Sequence, residues 1–314
     1  MTTPETSPEP VSDTASPDNR STKETMPTRM MPTRMIADRT VSTIGLGGMP
    51  MSIEGRPDAA RSVATIHAAL DEGVTLFDTA DAYHLHADEV GHNETLIAGA
   101  IASWGGDTSD VLVATKGGHL RPGDGTWYVD GRPEYLKKAA EASLARLGGD
   151  AIGLYQFHRP DPAVPYADSI GALVELLDAG TIRLAGISNA NVDQIRLAQE
   201  LLGGRLASVQ NQFSPAFRSS EPELELCTEL GIAFIPWSPL GGISSAARLG
   251  ERFAPFQQVA ADRGVSPQVV CLAWHLAKSP VVIPIPGASR PESIRDSVHA
   301  AGITLTPEEL ALLG

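Results

Sequence analysis

From about residue 40 onward, the chain repeats one pattern: a short apolar run, a turn, then a helical segment. The apolar runs are Ile44–Met49, Thr75–Asp78, Val111–Thr115, Ile152–Phe157, Ile182–Ile187, Ala207–Gln210, Ile232–Pro236 and Val281–Ile285. Several are continuous rather than alternating, as expected of parallel strands covered on both faces. The segments between them carry helix end signals. Pro133 stands at a favoured first-turn position and Gly148 at the matching end. Ile170, Leu173, Val174 and Leu177 recur at helical spacing to give one apolar face, with Gly180 beyond it. Ser266-Pro267 reads as a cap followed by a first-turn proline. Thr306-Pro307-Glu308-Glu309 has capping-box spacing. Strand–helix units in this order predict an α/β fold, a (β/α)8 TIM barrel forming a single domain over residues 36–314.

An open doubly wound sheet is the competing architecture. It requires a G-x-G-x-x-G turn after the first strand. Gly45-Leu46-Gly47-Gly48 follows a strand, but position 50 is proline. These glycines therefore read as a place where something approaches the strand backbone. Residues 1–35 differ from the rest. They are rich in Thr, Ser, Pro and charge, and apolar residues other than Met are scarce. A disordered leader is expected there, because too little surface can be buried to offset ordering. It contains the direct repeat Met26–Met30 and Met31–Met35, so either Met26 or Met31 is a candidate start. It lacks the apolar core of a signal peptide.

A formal charge of -14 makes a nucleic-acid backbone an unsuitable partner. No apolar run approaches the roughly 20 residues that cross a bilayer. The two cysteines, Cys227 and Cys271, form neither a disulfide framework nor a metal spacing. A reducing, cytoplasmic setting is the expectation.

Barrel sites lie at the C-terminal ends of the strands. Reading off those ends gives Asp78 and, in the turn after it, Tyr83; then Lys116, His158, Ser188-Asn189, Gln210-Asn211, Trp237-Ser238 and Pro286-Gly287. Each residue alone has an ordinary structural explanation: a turn carboxylate, a solvated lysine, a satisfied histidine, an amphipathic tyrosine. Three consecutive strand ends carrying Asp78, Tyr83, Lys116 and His158 put all four on one face.

With those ends in hand, the chain resembles the aldo-keto reductases from about Thr40 to its end. The matching stretches are Phe77–Tyr83, Val111–Lys116, Leu154–Pro160, Gly186–Asn189, Val209–Asn211, Pro236–Gly241 and Val282–Val298. Each motif is weak alone, but their order on successive strand ends is specific. The resemblance implies an oxidoreductase that interconverts a carbonyl (aldehyde, ketone or aldose) and an alcohol. Tyr83 would be its general acid, with Asp78, Lys116 and His158 completing a tetrad. The chemistry suits these residue types. Hydride delivery to a carbonyl carbon leaves charge on oxygen, and an unperturbed phenol near pKa 10 is a poor acid at neutral pH. A neighbouring lysine is expected to lower that pKa. A carboxylate holds the lysine, and a histidine donates to the carbonyl oxygen.

The resemblance further implies a nicotinamide cofactor lying across the barrel mouth. Ser188, Asn189 and Gln210 would bond its carboxamide, Trp237 would stack on its ring, and Ser238 and Leu240 would flank its pyrophosphate. Ser188-Asn189 also reads as a helix cap. At the adenosine end Gly287 and Ser293 occupy the positions where many relatives carry a lysine and an arginine. Ser289, Arg290 and the amides after Pro291 remain to hold a phosphate. NADP(H) is favoured, with NAD(H) possible. His119, Trp127 and Tyr128 are candidate substrate contacts. His84-Leu85-His86, with His92 and Glu94, suggests metal ligation, but no complementary His and Asp set follows at later strand ends. No metal is expected, and His84 and His86 read as a solvated loop near the mouth. The alternative function is a cofactor-binding regulatory subunit of the same fold. The chain stops soon after the Thr306 helix, so an open site with broad substrate tolerance is expected.

Overall fold

The computed structural model describes residues 1–2 and 31–314. The described chain begins with an antiparallel hairpin, β1 (Thr33–Ile36) and β2 (Arg39–Ser42). Parallel strands β3 (Leu46–Gly47), β4 (Leu76–Asp78) and β5 (Leu112–Gly117) follow. A second hairpin, β6 (His119–Leu120) and β7 (Tyr128–Val129), then leaves the sheet. The sheet resumes with β8 (Ile152–Phe157), β9 (Ile182–Ser188), β10 (Leu206–Gln210) and β11 (Ala233–Phe234). The seven parallel strands stand in sequence order around the sheet, with helices between them.

The eighth expected strand forms no ladder, because Pro284 and Pro286 have no N–H to give. Their carbonyls still accept. Gly45 N bonds Pro284 O at 3.0 Å and Gly47 N bonds Pro286 O at 3.0 Å. On the other side Phe234 N bonds Val281 O and Ile283 N bonds Phe234 O, both at 2.9 Å. The run thus joins β11 to β3 and closes the barrel. A Cβ on Gly47 would lie 2.9 Å from Ile285 O, so the glycine-rich strand end is where the closing strand approaches.

The helix ends fall where their signals stand. One helix runs Pro133–Leu147 and ends on Gly148. Ser266 Oγ accepts from Val269 N, and Thr306 forms a reciprocal capping box with Glu309. Asn191, not Ser188-Asn189, caps the helix Val192–Leu201.

The two-residue period of a strand sorts the core. Phe77, Tyr155, Phe157, Ile187 and Val209 pack outward with the helices. Leu76, Leu112, Ala114, Leu154, Ala207, Ile283 and Ile285 fill the barrel, joined at its base by Ile36 and Val41 of the first hairpin; Ala207 does so out of phase with Val209 because the register of β10 shifts between Leu206 and Ser208. Arg34 ties that hairpin to the last turns of the barrel. It donates to Ser279 O at 2.7 Å, to Leu276 O at 2.7 Å and to Val282 O.

The hairpin corrects the expected boundary of the leader. Thr33–Met35 belong to a strand and Met31 packs on the core, so the fold begins before residue 36. Most of the expected leader, including Met26, lies outside the described residues. Among the described residues no helix is long and apolar enough to cross a membrane.

Candidate active site

The inward positions of β4, β5 and β8 are apolar at first and polar at their ends. Asp78 comes two residues after Leu76, Lys116 two after Ala114, and Gln156 two after Leu154. One face therefore carries a buried polar layer above the apolar filling.

Lys116 is fully buried and its three ammonium donors are all used. They reach Asp78 Oδ1 at 2.6 Å, Thr79 O at 2.9 Å and the Tyr83 hydroxyl at 3.0 Å. The phenol oxygen thus accepts from the lysine, and the phenol's own hydrogen is left for the cavity that Tyr83 lines. Asp78 Oδ2 accepts from Gln210 Nε2 at 2.7 Å and from Gln156 Nε2 at 3.4 Å. Gln156 Oε1 in turn accepts from Ser208 Oγ at 3.2 Å. The His158 ring stands edge-on to Tyr83 with centroids 5.8 Å apart.

Electrostatics differ from the sequence expectation at one point. Burial pushes the Tyr83 phenol above its ordinary value, and Lys116 opposes that shift without cancelling it. Burial alone would lower Lys116, but Asp78 and Tyr83 outweigh it, so the ammonium is held more firmly than usual. Burial, with Lys116, His119 and Arg159 nearby, drives His158 well below the ordinary histidine value. Its ring is neutral near pH 7. His158 Nδ1 is buried without a partner among the described residues, which leaves Nε2 as the nitrogen to meet a ligand.

An open cavity of about 210 Å³ covers this layer. Asp78, Tyr83, His158, Ser188, Asn189, Gln210, Trp237, Ser238, Leu240 and Gly287 all line it, as do His119 and Trp127. Asn189 is the junction of one wall. Its amide donates to His158 O at 2.9 Å and Ser188 Oγ at 3.0 Å, and its oxygen accepts from Trp237 Nε1 at 3.2 Å. Asn189 (φ 57°) and Ser238 (φ 51°) are both left-handed, a conformation that non-glycine residues adopt at a cost. Ser188 Oγ donates to Gln210 O at 2.7 Å. The Gln210 amide nitrogen donates to Asp78, and its side-chain carbonyl oxygen has no partner among the described residues.

Other expected residues lie elsewhere. Ser289, Arg290 and Ser293 are outside the cavity lining, at the start of the helix Pro291–Val298, where Arg290 Nε bonds Ser293 Oγ at 2.9 Å. Tyr128 is exposed on β7 and does not line the cavity. His84 is buried rather than solvated, its Nδ1 2.7 Å from His86 O. His92 Nδ1 meets Ser52 Oγ, while Glu94 binds Thr115 and Arg146. Among the described residues no group of three or more His, Cys, Asp or Glu is placed to hold a metal.

Sequence reasoning passed over Arg159, Met49, Pro50, Ile243 and Ala246, which also line the cavity. Arg159 had a signal, since it directly follows His158 at the end of β8. It also passed over Asp81, buried behind the site with Oδ1 unpartnered among the described residues. Burial first, then Glu94, pushes its carboxyl up to about 8.

Comparison with known proteins agrees with this architecture. The sequence model of the aldo/keto reductase family matches residues 43–313. An uncharacterised oxidoreductase of Schizosaccharomyces pombe is 35% identical over 280 residues, 88% of this chain and 87% of its own length. A probable aldo-keto reductase of Glycine max is 29% identical, covering 86% of this chain and 84% of its own. The solved glycerol dehydrogenase of Gluconobacter oxydans superposes with a TM-score of 0.76 at 26% identity, covering 92% of this chain and 94% of that one.

Proposed function

Because this chain belongs to the aldo/keto reductase family, we propose that it is an NADP(H)-dependent reductase of small carbonyl compounds with Tyr83 as its general acid and base. Family membership makes it an NAD(P)H-dependent oxidoreductase working between carbonyl and alcohol. Tyr83 as the acid, NADP(H) as the preferred cofactor and proton transfer towards the carbonyl oxygen go beyond family membership.

One observation carries it: the saturated Lys116 ammonium leaves the Tyr83 proton free toward the cavity. The raised phenol is protonated at neutral pH, the state that reduction needs. As charge develops on the carbonyl oxygen, Tyr83 gives up its proton. Lys116, 3.0 Å away, stabilises the phenolate that remains. Asp78 holds Lys116 in place and balances its charge. Neutral His158 has one N–H to offer the carbonyl oxygen, orienting it before transfer.

The residues present fit a nicotinamide. Trp237 offers a flat wall, and the left-handed Asn189 beside Ser188 and the Gln210 carbonyl offers polar atoms suited to a carboxamide. When bound, the reduced nicotinamide supplies the hydride. The preference for NADP(H) rests on Arg290, exposed at a helix start close to the rim residue Gly287, with its guanidinium fixed by Ser293. A cytoplasmic location fits the two buried, unpaired cysteines, both thiols pushed up by burial.

The test is cofactor oxidation by purified protein with aldehydes, ketones and aldoses, using NADPH and NADH in parallel. NADPH should be consumed faster. Tyr83→Phe should lose about two to four orders of magnitude in turnover while still binding the cofactor. Near-normal turnover by that variant would exclude Tyr83 as the acid.

A further inference from the structure

The ionisable side chains lining the cavity are Asp78, Tyr83, His119, His158 and Arg159. Their charges do not balance. Asp78 is matched by Lys116 in a 2.6 Å ion pair. Tyr83 is a protonated phenol at neutral pH. His158 is neutral, and His119 is pushed down to about 4 by burial, Arg159 and Lys116, so it is neutral too. Arg159 remains. It is half-buried and makes neither a hydrogen bond nor an ion pair among the described residues. Burial alone acts on its guanidinium, with no carboxylate contributing.

Arg121 shows what a paired arginine looks like here, although its Nε has no partner among the described residues. Arg121 binds Glu54 and donates to His84 O at 2.6 Å, and its guanidinium lies 5.1 Å from the Trp127 ring centroid. Arg159 has no such partners among the described residues, although a desolvated guanidinium gains much from a carboxylate that meets its fork with two hydrogen bonds. Its place in the cavity is also defined. It directly follows His158 at the end of β8 and lines the same cavity as His119 and His158. The two rings lie 4.9 Å apart edge to face, and Trp127 packs on His119 at 4.7 Å. Arg159 is therefore on the Tyr83–His158 side, where a carbonyl is held. The Trp237–Leu240 turn, suited to the cofactor, belongs to the end of β11.

We propose that Arg159 is a specificity-determining residue that binds a carboxylate on the substrate, so that the preferred substrates are small oxo acids carrying an aldehyde or ketone and an anionic group. This rests on the carbonyl-reductase reading of the same cavity and names its substrate class. The net charge of -14 does not oppose it. Exposed charges are screened over about 8 Å at physiological salt, whereas Arg159 acts at contact and out of bulk water.

The test uses matched aldehydes that differ in charge: para-carboxybenzaldehyde against para-tolualdehyde, and succinic semialdehyde against butanal. The wild-type kcat/KM should favour the acid of at least one pair by roughly 10- to 100-fold, as for a charge-assisted hydrogen bond in a half-buried site. Arg159→Gln should bring that ratio towards one, mainly through KM, and Arg159→Lys should retain part of it. Equal kcat/KM within both wild-type pairs overturns the inference and leaves carbonyl reduction standing. An unchanged ratio in Arg159→Gln, with NADPH bound more weakly, gives the guanidinium to the cofactor phosphates and also overturns it. Failure to reduce any of the four aldehydes overturns the inference and the reading beneath it together.

Discussion

At the base of the barrel Ile36, Val41, Leu76, Leu112, Leu154 and Ile283 meet in an apolar layer with almost no exposed surface. A few residues further along the same strands Asp78, Lys116 and Gln156 are equally buried, yet all are polar. The base needs only shape and apolar area, which are tolerant of detail. The mouth depends on every partner being present, because a buried charge without its counterpart is costly. Left-handed non-glycine residues occur at both ends, Asn189 and Ser238 at the mouth and Ala37 in the β1–β2 turn, whereas the unpartnered His158 Nδ1 belongs to the mouth. Arg34 is a polar clasp at the base, as is the Ser42–Thr75 pair.

The comparison implies that mouth variants lose turnover while base variants lose stability. Lys116→Met is the strongest challenge to it. Turnover should fall by about two to four orders of magnitude, as when acid catalysis fails. Any residual alcohol oxidation should shift to higher pH, since the cation that favours the phenolate is gone. A residual pH–rate profile identical to wild type would break the assignment.

Asp81, just behind the mouth, should show itself in stability instead. Its folded value, about 8, lies above the unfolded value near 4. The folded state therefore binds the proton more tightly, and its stabilising effect is full below about pH 4 and lost as pH rises through 8. Glu94, Arg146 and Lys116 are the charged groups acting on it. Asp81→Asn should raise the Tm at pH 8 by more than at pH 5. Parallel melting curves at the two pH values would mean the carboxyl is not protonated in the fold.

Arg34→Ala tests the base. It removes donors from Ser279 O, Leu276 O and Val282 O, and a drop of about 1–3 kcal/mol in unfolding free energy is expected from the unmatched carbonyls. Denaturant unfolding measures this, and kcat should not change. A loss of kcat without a loss of stability would mean the two ends are not separable.

The smallest effect belongs to Trp237. Stacking on a flat, cationic ring contributes about 0.5–2 kcal/mol. NADP⁺ should quench the protein's fluorescence, and Trp237→Ala should remove much of that quenching. Binding of NADP⁺ and NAD⁺ should weaken equally, because the nicotinamide end is common to both. A loss confined to NADP⁺ would move Trp237 away from that end.

The sequence by itself determined the strand order, the helix ends and the placement of Asp78, Tyr83, Lys116 and His158 at one face. These are local or periodic properties: caps act over three residues, and a strand turns its side chains every two. Tertiary structure decided what depends on neighbours distant in sequence. Pro284 and Pro286 look hostile to a strand, yet their carbonyls close the barrel onto Gly45 and Gly47. Arg34 reads as part of a polar leader until Leu276, Ser279 and Val282 come beside it. The direction of the Tyr83 shift was likewise beyond the sequence, because it is a balance between burial and Lys116, and burial exists only once the barrel has closed around both.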